Sequence, residues 1–196
     1  MAEYIPSTRD WVAEQVELYE GSQGTEGLTL RDTGLPVIIY NVVPWSYLDP
    51  DLLCRVMNEV PGVIGVKQSA GDVKLFADLM IKIKPGQLVF SACDALLYPC
   101  YSLGAHGAIA AILTAAPKAS VELWNAVQAG DHERALDLHE RLLVLWNAMI
   151  GGEDLPAATK SAQAAQGVAS GMPRMPMKMP PPARQAGIRD ALKGLT

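Results

Sequence analysis

Residues 63–93 read VIGVKQSAGDVKLFADLMIKIKPGQLVFSAC. The opening VIGVKQS (63–69) is a short apolar run of the kind that a parallel sheet buries on both faces. Asp72 then caps DVKLFADLMIKI, whose apolar residues recur at helical spacing, and Lys84-Pro85-Gly86 ends it. LVFSAC (88–93) is apolar again. Strand, helix and strand with short joints make one βα unit, and the same pattern continues on both sides. Upstream stand PVIIYN (36–41), a strand, and DPDLLCRVMNEV (49–60), a helix with an Asp cap and a Pro in its first turn. Downstream, Asp94 opens DALLYPCYSLG, as an acid or base or, more commonly for an Asp at a helix start, as an N-cap, and GAIAAI (107–112) reads as a fourth strand. Pro117 starts a helix to about Gly130, and Asp131 caps another to about Ile150.

Four strands alternating with helices predict an α/β protein with a parallel sheet. That sheet is either half of a (β/α)8 barrel or part of an open doubly wound fold. The chain has no GxGxxG and no P-loop, which argues against the common nucleotide-binding forms. Ser7-Thr8-Arg9-Asp10 predicts a capped helix over 7–19, and 20–34 is broken by glycines. The tail MPRMPMKMPPP (172–182) cannot be helical and is expected to run extended as an inert surface segment; a short helix over 183–194 follows. The expected organisation is a helix and irregular segment over 1–34, a partial barrel over 35–130, and a C-terminal helical extension with the Pro/Met-rich segment over 131–196.

The 196 residues carry 49% hydrophobic and 19% charged side chains, which excludes wholesale disorder. A net charge of −5 argues against a general nucleic-acid binder. Cys54, Cys93 and Cys100 form no CxxC, and His106, His132 and His139 form no ligand cluster with them. Neither a disulfide scaffold nor a zinc site is expected, and no cofactor is called for. The start MAEYIPSTRDW lacks the basic and apolar regions of a signal peptide. No run reaches the ~18 apolar residues of a membrane helix, so a cytoplasmic setting is expected.

In parallel α/β folds ligands meet the carboxyl ends of the strands. Those ends carry Tyr40-Asn41, Lys67-Gln68-Ser69, Ser91-Ala92-Cys93-Asp94 and the stretch around Ile109. Lys67 interrupts an apolar strand, which is costly unless the amine is paired or neutral. At an ordinary pKa only about one lysine in 2,500 is neutral at pH 7, whereas burial raises that fraction. A neutral amine attacks a carbonyl and forms a Schiff base. A lysine that merely tops the strand and reaches solvent is the competing reading. Tyr40 ends the neighbouring strand and could pass protons to a carbinolamine on Lys67, or be a packed tyrosine. Asp72 and Asp131 read as caps, His106 as a turn residue, and Cys93 as a packed side chain. Trp124, Leu142, Leu145 and Trp146 fall at helical spacing and read as core or a subunit contact.

VIIYN followed by a proline, GVIGVKQSAGD, LVFSACDA and LGAHGAIA together resemble the dihydrodipicolinate synthase / N-acetylneuraminate lyase family of Schiff-base aldolases. The resemblance runs from about Gly34 to Gly152 and more weakly to Pro173. It implies the C-terminal half of a (β/α)8 barrel, strands five to eight, with added C-terminal helices. It implies Lys67 as the lysine that forms an imine with pyruvate or a related 2-keto acid, and Tyr40 as the proton-relaying tyrosine. Asn41, Ser91, Asp94 and the main chain around Ile109 are then expected to bind the substrate. A homo-oligomer with small-molecule partners is implied, a 2-keto acid and an aldehyde, with neither nucleic acid nor membrane.

The departures are specific. The chain enters just before the fifth strand, so the family's segment for the keto-acid carboxylate is expected to be missing. After Asn41 the run is Val42-Val43-Pro44-Trp45-Ser46-Tyr47, one residue longer before the proline than usual and with no arginine for an acidic second substrate. Trp45 and Tyr47 are expected to form an aromatic rim instead. Half a barrel exposes two strand edges and the inner faces of its strands. Face-to-face association or poor solubility is therefore expected. The competing functional reading is a non-catalytic fragment or interaction module that keeps the lysine by descent.

Overall fold

The computed structural model describes residues 34–42, 47–69, 72–151 and 154–195. The helix expected over 7–19 and the irregular 20–33 lie outside these residues, as does Trp45. Four strands, β1 (Val37–Asn41), β2 (Val63–Gln68), β3 (Leu88–Ser91) and β4 (Gly107–Ala108), form one parallel sheet in the order β1-β2-β3-β4. Helices α1 (Pro50–Glu59), α2 (Val73–Lys82) and α3 (Leu97–Ser102) join them. Helices α4 (Ala111–Ala115), α5 (Pro117–Gln128), α6 (His132–Met149), α7 (Leu155–Ala165) and α8 (Pro182–Ala191) follow. This is a partial (β/α) barrel with C-terminal helices.

The caps act as their sequence suggested. Asp49 accepts from Leu52 N at 2.9 Å, Asp72 from Lys74 N at 2.8 Å and Asp131 from Arg134 N at 3.0 Å. Each meets an amide that the first helical turn leaves unpaired. His106 stitches its turn to β3, its amide donating to Val89 O and its Nδ1 accepting from Val89 N.

Two expectations need correction. The fourth strand is not 107–112 but only Gly107–Ala108, and Ala111–Ala115 is helical. Asp94 does not cap its own helix, because Cys93 precedes the 3-10 turn Asp94–Leu96 without a side-chain cap. Its Oδ1 instead accepts from Ile112 N at 2.7 Å. An acceptor 18 residues upstream thus holds the first turn of α4, and the alanine-rich AILTA coils where an apolar run alone suggested a strand.

Register decides which side chains share a face. The rows are Ile38–Gly65–Leu88, Ile39–Val66–Val89, Tyr40–Lys67–Phe90–Gly107 and Asn41–Gln68–Ser91–Ala108. Side chains alternate between faces from one row to the next. The Ile39 and Asn41 rows turn to the helices, where Val66, Val89, Gln68 and Ser91 are buried. There Val66 and Val89 share one apolar core with Leu53, Phe76, Leu79, Leu97, Ile112 and Leu123, which continues through Leu138, Leu142 and Leu145 of α6. The Ile38 and Tyr40 rows face the other way, toward what would be the inside of a barrel.

Arg184 ties the C-terminal helix to α6, beside the core contact made by its buried Ile188. Arg184 on α8 binds both carboxylate oxygens of Asp154 at 2.8 and 2.9 Å, and donates to Met149 O and Ala148 O at the end of α6. Both partners are largely buried. Removing one member of such a pair leaves the other uncompensated. Arg184→Met, which keeps the apolar stem, should lower stability by about 2 kcal/mol in urea unfolding, because partial exposure discounts the full buried-pair penalty. Among the described residues no helix is long and apolar enough to cross a membrane.

Candidate active site

The carboxyl end of β2 places Lys67 between Tyr40 of β1 and Phe90 of β3, all in one row and on one face. The Lys67 ammonium sits over the Tyr40 ring, 4.4 Å from its centroid. The ring's negative face attracts a cation at that distance by about 0.5–2 kcal/mol. Lys67 is half-buried, whereas Tyr40 is 63% exposed. Beyond Phe90 the row has no side chain at Gly107. A Cβ there would stand 3.3 Å from the Phe90 ring, so the glycine leaves the ring room.

Asp94 lies three residues past the end of β3, in the 3-10 turn that follows it. Burial raises its pKa above the usual carboxylate value, while the amides of Ile112, Asp94 and Ala111 and the charge of Lys67 pull the other way. Its carboxylate anchors the backbone after β4 through the Ile112 amide. Ile109 is at the end of that anchored stretch, 42% exposed, with its amide donating to Ser91 O at 2.8 Å.

The sign of the Asp94 contribution follows from its shift. An acid whose pKa is raised by folding binds its proton more tightly in the folded state. Stability is then greatest below the ordinary carboxylate pKa and declines as pH rises through the folded value. Asp94→Asn keeps an oxygen for Ile112 N and should flatten this decline. Asp94→Ala also loses the cap, and thermal melts over an acid-to-neutral pH series should place it about 1 kcal/mol below the asparagine variant.

The site residues named from sequence divide between two faces. Tyr40 and Lys67 come together on the inner face. Asn41 and Ser91 belong to the opposite row and are buried against the helices. Asn41 clamps the segment before α1: its Oδ1 accepts from Leu48 N at 2.9 Å, and its Nδ2 donates to Leu48 O and to Gln68 Oε1, both at 3.0 Å. Ser91 Oγ is buried without a conventional hydrogen bond among the described residues, and its hydroxyl neighbours the Cys100 thiol.

Tyr47 is not a rim residue. Its hydroxyl turns inward and donates to Gln68 Oε1. Burial first, then the neighbouring Cys93 and Asp72, push its pKa up to about 12. It therefore stays protonated and able to donate through the whole working range of a protein. Gln68, whose role was not foreseen, collects the Asn41 and Tyr47 bonds and fixes the chain beside Lys67. Its identity as a buried polar residue directly after the lysine was the available signal. Among the described residues no group of three or more His, Cys, Asp or Glu side chains is placed to hold a metal.

Comparison with known proteins meets this geometry. Residues 28–194 match the model of the Dihydrodipicolinate synthetase family. A relative from Archaeoglobus fulgidus named 4-hydroxy-tetrahydrodipicolinate synthase is 27% identical over 210 residues, covering 96% of this chain and 72% of the relative. One of the same name from Neisseria meningitidis serogroup B is 32% identical over 163 residues, covering 82% and 55%. Among solved structures, a putative dihydrodipicolinate synthetase from Pseudomonas aeruginosa superposes with a TM-score of 0.79 at 24% identity, covering all of this chain and 64% of that one. YagE from E. coli K12 gives a TM-score of 0.79 at 23% identity, covering 98% and 63%. These two likenesses concern the fold. The chain spans between about half and three quarters of the length of such relatives. With the family model matched over most of its length and the fold shared, this chain belongs to the dihydrodipicolinate synthetase family.

Proposed function

We propose that Lys67 forms a Schiff base with the keto carbon of pyruvate or a related 2-keto acid, and that the chain is a lyase or synthase of the aldolase type. The observation that carries the reading is the Lys67 amine, set over Tyr40 at the carboxyl end of a parallel sheet. The relatives named 4-hydroxy-tetrahydrodipicolinate synthase support it, as does YagE, whose structure is described as a complex with pyruvate.

In this reading the neutral Lys67 amine attacks the keto carbon, and the carbonyl oxygen leaves as water. The two protons that the water carries come off the attacking nitrogen, and the Tyr40 hydroxyl relays them to the oxygen and ends protonated as it began. Loss of a proton from the carbon next to the imine gives an enamine. The enamine adds to an aldehyde, or the reverse step releases one, and water frees the lysine. A dehydratase outcome uses the same imine. Asp94 acts through position: it holds the main chain at Ile112, three residues beyond Ile109, which would line the substrate. No cofactor enters these steps.

Borohydride reduction in the presence of pyruvate tests the reading directly. Intact mass should rise by the reduced pyruvate adduct, and peptide mapping should place it on Lys67 alone. Absence of an adduct on folded protein overturns the catalytic reading. One observation favours the second reading, a non-catalytic interaction module: Tyr40 is mostly exposed, so the described residues leave the site open to water on one side.

A further inference from the structure

The chain after β4 is held from two directions. α4 is five residues long, and a single turn of helix does not hold its own shape. Its first turn is fixed by Asp94, whose Oδ1 accepts from Ile112 N at 2.7 Å. Its last turn has a separate need. Pro117 follows, so Ala116 leaves the helical region at φ −139° and ψ 68° and the backbone turns away. The Ala115 carbonyl then needs a donor from outside its own helix, at a residue that is wholly buried.

Gln166, just past the carboxyl end of α7, supplies that donor. Its Nε2 donates to Ala115 O at 2.6 Å and to Ala162 O at 2.9 Å, so both amide hydrogens are used. Small side chains let the two helices come this close. Ala157, Ala158, Ser161 and Ala162 are the buried face of α7, and Ala158 and Ala162 share one core with Ile112 and Ala115. Gln166 is itself held in place. The chain beyond it folds back, with Val168 N donating to Gln163 O at 3.1 Å and Ser170 Oγ to Lys160 O at 2.9 Å, while the Lys160 amine donates to Ser170 O.

We propose that Gln166 is a positioning residue: through α4 it sets the main chain at the carboxyl end of β4, where Ile109 N donates to Ser91 O at 2.8 Å. α7, which lies outside the sheet, thereby becomes part of the site. The consequence for binding rests on the Lys67 reading, in which the main chain at Ile109 lines the 2-keto acid. The mechanical coupling does not rest on it.

Amide hydrogen exchange on the full chain reads the coupling. Gln166→Leu keeps the size of the side chain and removes both donors. It should speed exchange at Ile109, Ile112 and Ala116 by about tenfold, while the amides of His106 and of Ala135 in α6 keep the wild-type rate. Gln166→Lys, again a donor of similar reach, should restore most of the protection. Gln185→Leu loses a comparable bond, from α8 to Pro180 O at 2.7 Å, and should leave the three amides unchanged. Asp94→Ala and Gln166→Leu act on one short helix, so the double variant should exchange little faster than the faster single one. In borohydride trapping, the pyruvate concentration for half labelling of Gln166→Leu should rise about three- to tenfold, with the labelling at saturation unchanged. Unchanged exchange in Gln166→Leu, an equal rise at His106 and Ala135, no rescue by Gln166→Lys, or effects that add in the double variant would each overturn the proposal. Faster exchange at Ile109 with no change in half labelling would remove Gln166 from the site. Wild-type protein that takes up no adduct strikes the Lys67 reading, and the exchange rates then decide the coupling by themselves.

Discussion

Lys67→Ala should take up no reduced pyruvate adduct under conditions that label the wild type to completion, while melting within a few degrees of it. The loss is all-or-none because among the described residues no other lysine stands in the strand row where the ketone would meet it; Lys74 and Lys82 belong to α2 and Lys84 to the loop after it. The small change in stability follows from what Lys67 touches. It lies over the Tyr40 ring at 4.4 Å, a contribution of about 0.5–2 kcal/mol, and the ring is mostly solvated. For a domain of this size 1 kcal/mol moves the melting temperature by roughly 2–4 °C. Lys67→Arg sharpens the test. A guanidinium keeps the charge over the ring and stays protonated, so it should preserve the melting temperature and still give no adduct. An adduct that survives in either variant, mapped to another lysine, would remove Lys67 from the chemistry.

Much of this arrangement was readable because it rests on local patterns. Continuous apolar runs bounded by Asp caps and Pro-Gly stops placed β1, β2 and β3 within two residues and gave α1, α2, α5 and α6 their starts. The pairing of Tyr40 with Lys67 followed from putting both at the ends of neighbouring parallel strands, which the register supports. What escaped was decided between distant residues. The helix at Ala111–Ala115 needs the Asp94 oxygen on Ile112 N, and no window around residue 111 contains Asp94. Tyr47 looks like a rim aromatic until Gln68, 21 residues on, takes its hydroxyl. Asn41 and Ser91 are at strand ends, as expected, but the alternation of side chains turns them from Lys67 toward the helices. Position at a strand end is legible in sequence; the face on which a residue falls depends on a register that a bulge between Val37 and Ile38 shifts by one.

Gly65→Ala should be the most damaging of the glycine-to-alanine changes among the described residues. Gly65 lies in the strand that carries Lys67, two residues before it, and pairs with Leu88. A Cβ built there would stand 2.4 Å from the Leu88 carbonyl oxygen and 2.9 Å from its Cβ, distances real atoms do not adopt. The obstacle is backbone, so no side-chain rotation relieves it. β3 cannot easily withdraw, because Val89 is wholly buried in the helix-facing core and His106 holds the Val89 amide and carbonyl from the other side. Intrinsic preference points the other way: a glycine without a left-handed backbone, replaced by alanine, gains about 0.4–1 kcal/mol through the unfolded chain. The clash must outweigh that gain, and a forced separation of two paired strands should cost about 3 kcal/mol or more, a large fraction of a typical domain's stability. Gly86→Ala separates the causes. Gly86 has φ +91° and nothing within 4 Å of an added Cβ, so its loss is conformational strain alone, about 1 kcal/mol. Urea midpoints should therefore fall in the order wild type, Gly86→Ala, Gly65→Ala. A Gly65→Ala chain as stable as the wild type would mean that β2 and β3 are not paired as Gly65 with Leu88, and the placement of Lys67 between Tyr40 and Phe90 would fall with that register.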